Sequence, residues 1–429
     1  MSLVAFIGAA GMGKTFQLMR REESTLEGSP LTDGQKVLAL TFMHGSRRRL
    51  DDRLRTLRGL RGRFSCMTID RFAWELCTRW RSLRRAEGLP ELAEDQYDAT
   101  CDAAGALMET EGVRKWVART YPHVLIDEAQ DLTQERLRII RALEPTVAMH
   151  AAADEFQCLA AHLRPNPAIA WIQTRCQPLD LQVQRRTSQA GLIAAALAIR
   201  GGQTVVAAKN LVIRAAPGTR PYHQAAAAVT NAIKWNGGTE IAVITPSKSG
   251  GFAIGVVTRV GAGPVGQQQN GPYDIRWELS DEEFANQHAG NLNLPEDGSF
   301  AATIAALSVP GSHSAILMCR DWVVRSHKLS GVTMFPPELI RQQLKKCFAR
   351  HRRFSRGHSR RLMAMTIHQA KNQEFEGVIV LWPYTVAGDA EQKRRLLYNA
   401  ITRAKRWCTI VVQNANVLQQ PPFAASPAA

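Results

Sequence analysis

The residues with the clearest chemical capacity open the chain. Gly8-Ala-Ala-Gly11-Met-Gly13-Lys14-Thr15 has the spacing GxxxxGK[ST] of a phosphate-binding loop, between an apolar run and a helical pattern. Glycines let such a loop curl until its N–H groups face phosphates, helped by the positive N-terminus of the helix that follows. In that arrangement Lys14 reaches the β- and γ-phosphates of ATP and Thr15 holds Mg²⁺. A second cluster is His123-Val-Leu-Ile-Asp127-Glu128-Ala-Gln-Asp131. Asp127 ends a run apolar enough to be a central strand, at the edge where open α/β sheets bind ligands. An acid there can hold Mg²⁺ through water, and Glu128 beside it is placed to polarise an attacking water as general base. Solvated acids opening the next helix would account for Asp131 but not for two acids closing a buried strand.

These segments need a scaffold, and the hydropathy pattern supplies an α/β one. Short apolar runs at 3–7, 37–42, 66–69, 124–126 and 147–151 read as strands, separated by helical stretches at 15–24, 71–85 and 133–142. A second alternating set has strands at 211–213, 240–245, 363–367, 378–381 and 409–412. Its helices fall at 188–199, 223–235, 338–351 and 391–405. The expectation is two P-loop-type lobes with parallel sheets, 1–178 and 179–418, joined near 175–182. Small insertions are expected at 78–122 and about 250–360, the latter marked by a Gly/Ser/Gln/Pro-rich edge at 246–272. The closing QQPPFAASPAA, 419–429, reads as a disordered tail.

Bulk properties restrict the partners. The net charge of +16 is concentrated: residues 47–85 carry thirteen arginines against four acids, and 341–361 carry nine Lys/Arg and no acid. Such confined excess suits a surface that tracks phosphates, although a basic helix face can also merely solubilise. No run approaches the ~18 apolar residues of a membrane span, and 3–7 lacks the basic leader of a signal peptide. Eight scattered cysteines without a CxxC pair argue for reduced thiols and a cytosolic setting, not for disulfides or zinc.

Asp-Glu-Ala-Gln-Asp resembles the second motif of the UvrD/Rep-type superfamily 1 helicases, and the remaining motifs follow in order. Residues 38–44 (Leu-Ala-Leu-Thr41-Phe42-Met-His44) resemble motif Ia, and Met67-Thr68-Ile-Asp-Arg71-Phe-Ala resembles the segment after it. Ala153-Asp-Glu-Phe-Gln157 is similar to motif III, Gln184-Arg185-Arg186-Thr to motif IV, Thr366-Ile-His368-Gln-Ala-Lys371-Asn-Gln-Glu374-Phe to motif V, and Tyr398-Asn-Ala-Ile-Thr402-Arg403-Ala-Lys to motif VI. The resemblance implies two RecA-like lobes with ATP between them, Arg186 and Arg403 as arginine fingers, Gln157 as γ-phosphate sensor, and Glu374 on the ribose. It further implies nucleic-acid contacts through Thr41, Phe42, His44, Arg47, Arg48, Thr68, Arg71, Thr366 and His368. His368 reads as structural or coupling rather than metal-binding, because no other His or Cys keeps ligand spacing.

The sequence departs from the family in places. The adenine-reading glutamine segment before the P-loop is missing. Arg185 stands where a tyrosine stacks on the base, and could stack as a planar cation. Motif III lacks the aromatics that stack on single-stranded bases; Trp171 and Phe156 could replace them or pack in the core. Asn372 replaces a glycine, which requires a left-handed residue. The implied function is a nucleic-acid-dependent ATPase, a DNA helicase or single-stranded DNA translocase of 3′ to 5′ polarity. The competing expectation is an ATP-switched subunit that senses DNA ends or junctions for a partner nuclease or repair factor.

Overall fold

The computed structural model describes residues 3–425 except 43, 93–95, 217–221, 239, 280 and 356–360; for 44–46, 281 and 352–355 it describes the backbone alone. The chain forms two compact units, Met1–Tyr273 with Thr366–Ala429, and Asp274–Met365.

The larger unit begins with β1 (Leu3–Gly8), α1 (Lys14–Gly28), β2 (Val37–Thr41), α2 (His44–Leu54), β3 (Phe64–Thr68), α3 (Ile69–Arg79) and α4 (Arg81–Ala86). It continues through α5 (Tyr97–Glu109), α6 (Glu111–Thr120), β4 (His123–Asp127), α7 (Gln134–Leu143), β5 (Ala148–Ala153), α8 (Pro167–Arg175) and β6 (Leu179–Leu181). These strands form one parallel sheet of order β3-β2-β4-β5-β1-β6. Its middle strands are buried on both faces because their sequences are apolar at consecutive positions. Leu38, Leu40, Val124 and Ile126 enter the core shared with α3, α5 and α7. Val37, Ala39 and Leu125 alternate with them and enter the core beneath α1 and α2.

The second lobe of this unit contains α9 (Ala190–Arg200), β7 (Leu211–Ala215), α10 (His223–Asn236), β8 (Ile241–Thr245) and α11 (Phe252–Ala262). In the smaller unit follow β9 (Arg276–Trp277), α12 (Asp281–Ala289), α13 (Phe300–Leu307), α14 (Ser314–Ser330), α15 (Pro337–Ser355) and most of β10 (Leu362–Thr366). The chain then re-enters the larger unit with α16 (Ile367–Ala370), β11 (Phe375–Trp382), α17 (Ala390–Ile401) and β12 (Ala404–Val412). Within the larger unit β12 pairs in parallel with β7 and β11, and β11 with β8. In the smaller unit β9 pairs with β10, and α12–α15 pack around Leu307, Ile316, Val323, Leu344 and Phe348. The expected α/β architecture of two parallel-sheet lobes is what the chain adopts.

Three boundaries differ from the sequence expectation. Residues 97–120 are no appendage: Cys101, Ala104, Leu107, Val113 and Val117 on α5 and α6 lie in the core of the first lobe. Small side chains let α5 approach α7 closely, and small residues give a weak amphipathic signal. At the other boundary α11 packs within the larger unit, through Phe252 against Tyr222, so the compact smaller unit starts at Asp274 rather than near 250. The expected tail is held down as far as it is described: Phe423 is buried edge-on against Trp382, and its carbonyl accepts from the Val205 N–H. One apolar residue suffices to dock a Pro/Ala-rich segment. Residues 426–429 lie outside the described residues.

Candidate functional site

The C-terminal ends of β1, β4 and β5 bring the chemical groups of the first lobe together. Gly11 and Gly13 hold φ of 82° and 76°, and a Cβ on Gly13 would lie 2.5 Å from Cδ of Arg185, so the loop needs glycine on both counts. Lys14 Nζ donates to the carbonyls of Gly8 (2.9 Å) and Ala9 (3.1 Å) and stands 3.7 Å from Asp154 Oδ2. Burial lowers its pKa against the raising influence of Asp154, Glu128 and Asp127. Thr15 Oγ1 reaches Asp127 at 3.3 Å. Thr41 stands in register with Asp127 on the neighbouring strand, and its buried Oγ1 has no hydrogen-bond partner. A hydroxyl, a carboxylate and an orphaned hydroxyl are hard oxygen donors, a set that fits Mg²⁺.

Burial, and then Glu128, push the Asp127 carboxyl up to about 6. A carboxyl raised in this way is neutral below that pH and a poor cation ligand. The expected result is a kcat/KM for ATP hydrolysis that falls about tenfold per unit below about pH 6, a limb that Asp127→Asn abolishes along with most activity. A flat profile down to about pH 5 would deny Asp127 that part.

Glu128 occupies the left-handed region, φ 61° and ψ 43°, which costs an ordinary residue about 1–2 kcal/mol. Its Oε2 accepts from the Gln130 amide at 2.6 Å. Burial would raise its pKa, but Lys371, Lys14, the Gln130 bond and Arg403 outweigh it and keep the carboxylate ionised. Strain of this kind persists where surrounding contacts over-determine the conformation, and it clusters at functional sites.

The second lobe closes on this cluster. Tyr398 Oη accepts from the Ala10 N–H of the loop (2.7 Å) and donates to Asp154 Oδ2 (3.1 Å). Gln184 Nε2 donates to the Ala10 carbonyl and the Arg185 N–H to the Gly11 carbonyl. Lys371 forms a buried ion pair with Asp131, 2.6 Å to both oxygens. Arg403, 1% exposed, donates Nε to the Asn399 carbonyl, and burial with Arg186 nearby lowers its pKa to about 9, leaving it charged at neutral pH.

The structure gathers Lys14, Thr15, Asp127, Glu128, Gln157, Arg185, Arg186, Glu374 and Arg403 around the loop, with several local differences from expectation. Glu374 carries a cluster of cations: its carboxylate takes Arg186 at 2.8 Å and Arg49 and Lys405 at 3.6 Å each. Burial is overcome by these cations, which lower its pKa. Arg186 also donates to the Thr402 carbonyl. Arg185 lies flat over Phe16, 4.2 Å from guanidinium carbon to ring centre, so the stacking partner is this first-lobe ring. Gln157 donates to Asp154 Oδ2 at 3.0 Å. Asn372 has the expected positive φ of 64°.

The nucleic-acid candidates are less uniformly placed. Thr41 is 2% exposed and faces Asp127's side of the sheet, and Phe42, half-buried, has the Arg136 guanidinium 5.3 Å from its ring centre. Thr68 and Thr366 cap α3 and α16, accepting from the Arg71 and Gln369 N–H groups. Arg47 is half-buried; Arg48, Arg71 and His368 are exposed. The His44 side chain, Met43 and part of the second basic window lie outside the described residues. Trp171 is buried in the first core, and Phe156, half-buried, packs against Tyr398 and two arginines.

Sequence reading passed over Asp154, Arg49 and Phe16. Asp154 is the hub of the network, fully buried, receiving Arg200 at 2.6 Å besides Lys14, Tyr398 and Gln157. Its place between a buried strand and Gln157 repeats the position of Asp127 after β4, which was the available signal. Arg49 carried none, because it stands among twelve other arginines in its window.

The comparisons bear on both lobes. Residues 1–161 match the family model described as an AAA domain, and 361–411 match the UvrD-like helicase C-terminal domain. No curated protein sequence matches the chain. Two solved structures of Arterivirus nonstructural protein 10, a helicase, are similar to it at 11% identity, one of them in complex with DNA. The DNA complex has a TM-score of 0.40 over 97% of this chain, and the other 0.41 over 98%; in both the chain spans 62% of the solved protein. With a phosphate loop and acid pair in a first lobe that matches the AAA domain, and a second lobe that matches the UvrD-like helicase C-terminal domain over 361–411, the chain is similar to the UvrD/Rep-type superfamily 1 helicases.

Proposed function

We propose that the chain is a DNA translocase or helicase of 3′ to 5′ polarity that uses Mg²⁺ and ATP. The observation that supports it best is the ring of charge around the P-loop, to which the first lobe contributes Lys14, Asp127, Glu128 and Arg49 and the second Arg186, Arg403 and Lys405. In this reading Lys14 and the loop N–H groups bind the phosphates, while Thr15 and Asp127 hold Mg²⁺, which would neutralise phosphate charge. Glu128 accepts a proton from the attacking water. Arg186 and Arg403 stabilise charge developing on the terminal phosphate. Phe16 and Arg185 offer two planar groups beside Gly13 for the base. Asp154 positions Lys14 and relays its state to Tyr398 and Arg200 of the second lobe.

The test is steady-state ATPase activity with and without single-stranded DNA, beside a variant with Arg48, Arg58 and Arg61 all changed to Gln. These three are exposed. The expected result is strong stimulation by DNA, with a weaker and less salt-sensitive DNA affinity in the variant. ATPase activity indifferent to DNA would favour the ATP-switched subunit that senses DNA ends for a nuclease or repair partner.

A further inference from the structure

A groove of about 470 Å³ lies along the outer side of α3, at the edge of the first sheet. It is lined by the rings of Trp74, Trp116 and Tyr121 and by Arg71, Glu75 and Arg79. The volume falls within the ~300–1,000 Å³ of small-ligand sites. The three aromatic residues are all partly exposed, although tryptophan and tyrosine rings of a first-lobe core have apolar surface to bury. Arg79 already stacks on Trp116, 4.2 Å from guanidinium carbon to ring centre, which fixes that ring from one side. Trp80 meets it edge-on, and Tyr121 Oη lies 3.4 Å from Ser65 Oγ on β3. The rings are thus held in place from behind by their own neighbours. Arg71 is paired with Glu75 at 2.6 Å, so the charge along the groove is a net positive one drawn from the arginine-rich 47–85 window.

Rigid aromatic faces beside arginines are what single-stranded nucleic acid requires of a protein that does not read its sequence: rings for the bases and cations for the phosphates. Near Gln157, Trp171 is buried in the core and Phe156 is engaged by Tyr398, Arg200 and Arg395. The groove also reaches Arg71, one turn from Thr68, both candidate contacts. We propose that it is a nucleobase-stacking site for single-stranded nucleic acid, with Trp74 and Tyr121 as the open faces and Arg71 and Arg79 toward the backbone. The inference rests on the nucleic-acid reading above.

The experiment measures the Kd of a fluorescein-labelled deoxythymidine oligonucleotide by anisotropy across a salt series, for wild type, Trp74→Ala, Trp74→Phe and Tyr121→Leu. Ring removal is expected to weaken binding about 5- to 150-fold per stacked base without changing the salt slope, and Trp74→Phe to keep most of the affinity. Because a ring variant can fail to fold, wild-type chain is also photocrosslinked to 5-iododeoxyuridine oligonucleotide, with adducts expected on Trp74, Trp116 or Tyr121. Wild-type affinity in folded Trp74→Ala and Tyr121→Leu, with adducts elsewhere, would overturn the groove and leave the motor reading standing. Absence of any binding by wild type would overturn both.

Discussion

Glu128→Gln is expected to bind ATP with near wild-type affinity and to turn it over about 10²- to 10⁴-fold more slowly. The substitution keeps volume and removes the proton-accepting oxygen, while the ion pair of Lys371 with Asp131 and the bonds of Lys14 stay intact. Nucleotide affinity by fluorescent-analogue titration and turnover by phosphate release separate the two effects. Unchanged turnover would remove Glu128 from the chemistry. A companion variant tests the strain at the same residue. Glu128→Gly removes the carboxylate and also the penalty of φ 61°, so it should be as inactive but no less stable than Glu128→Gln. A large loss of stability in the glycine variant would mean that the Gln130 bond outweighs the backbone cost.

Lys371→Met is expected to lower stability by about 3–5 kcal/mol, because it strands Asp131, 7% exposed at its side chain, without a counter-charge. Burial alone would discharge Lys371, but Asp131 and Glu128 outweigh it and keep the ammonium charged. The double variant Lys371→Met/Asp131→Leu should recover most of that loss, since well-packed apolar residues replace buried pairs at little cost. Urea midpoints read both. A single variant as stable as wild type would show that the pair is open to water. ATPase measurements on the folded single variant Lys371→Met carry a second expectation: Lys371 is one of the charges holding Glu128 ionised, so its removal should raise the pH at which activity sets in.

Much of the scaffold was legible because the strands are continuous apolar runs between glycine or acid punctuation. Val37–Thr41 and His123–Asp127 are buried at every position. β6 and β9 escaped because three and two residues give no period to read. α2 escaped because HGSRRRLDDRL offers only Leu50 and Leu54 to a core. In the site, residues at motif ends were legible by type and spacing, Lys14 and Asp127 above all. Pairings were not, since they depend on which charges meet after folding. Glu374 keeps the family's glutamate position yet faces three cations, of which Arg49 joins it from α2.

The inter-lobe bonds also have a meaning for how the chain is made. Asp131 and Asp154 find their partners Lys371 and Tyr398 respectively 240 and 244 residues further along. At ribosomal speeds of about 5–20 residues per second, that distance corresponds to a wait on the order of 10–50 s. Once β6 is made, the nascent first lobe holds a complete sheet whose catalytic edge still lacks its second-lobe partners. The edge is finished only when Lys371 and α17 emerge, so the rate of translation from residue 131 to residue 398 sets how long an unpaired, acid-rich rim is offered to chaperones and proteases.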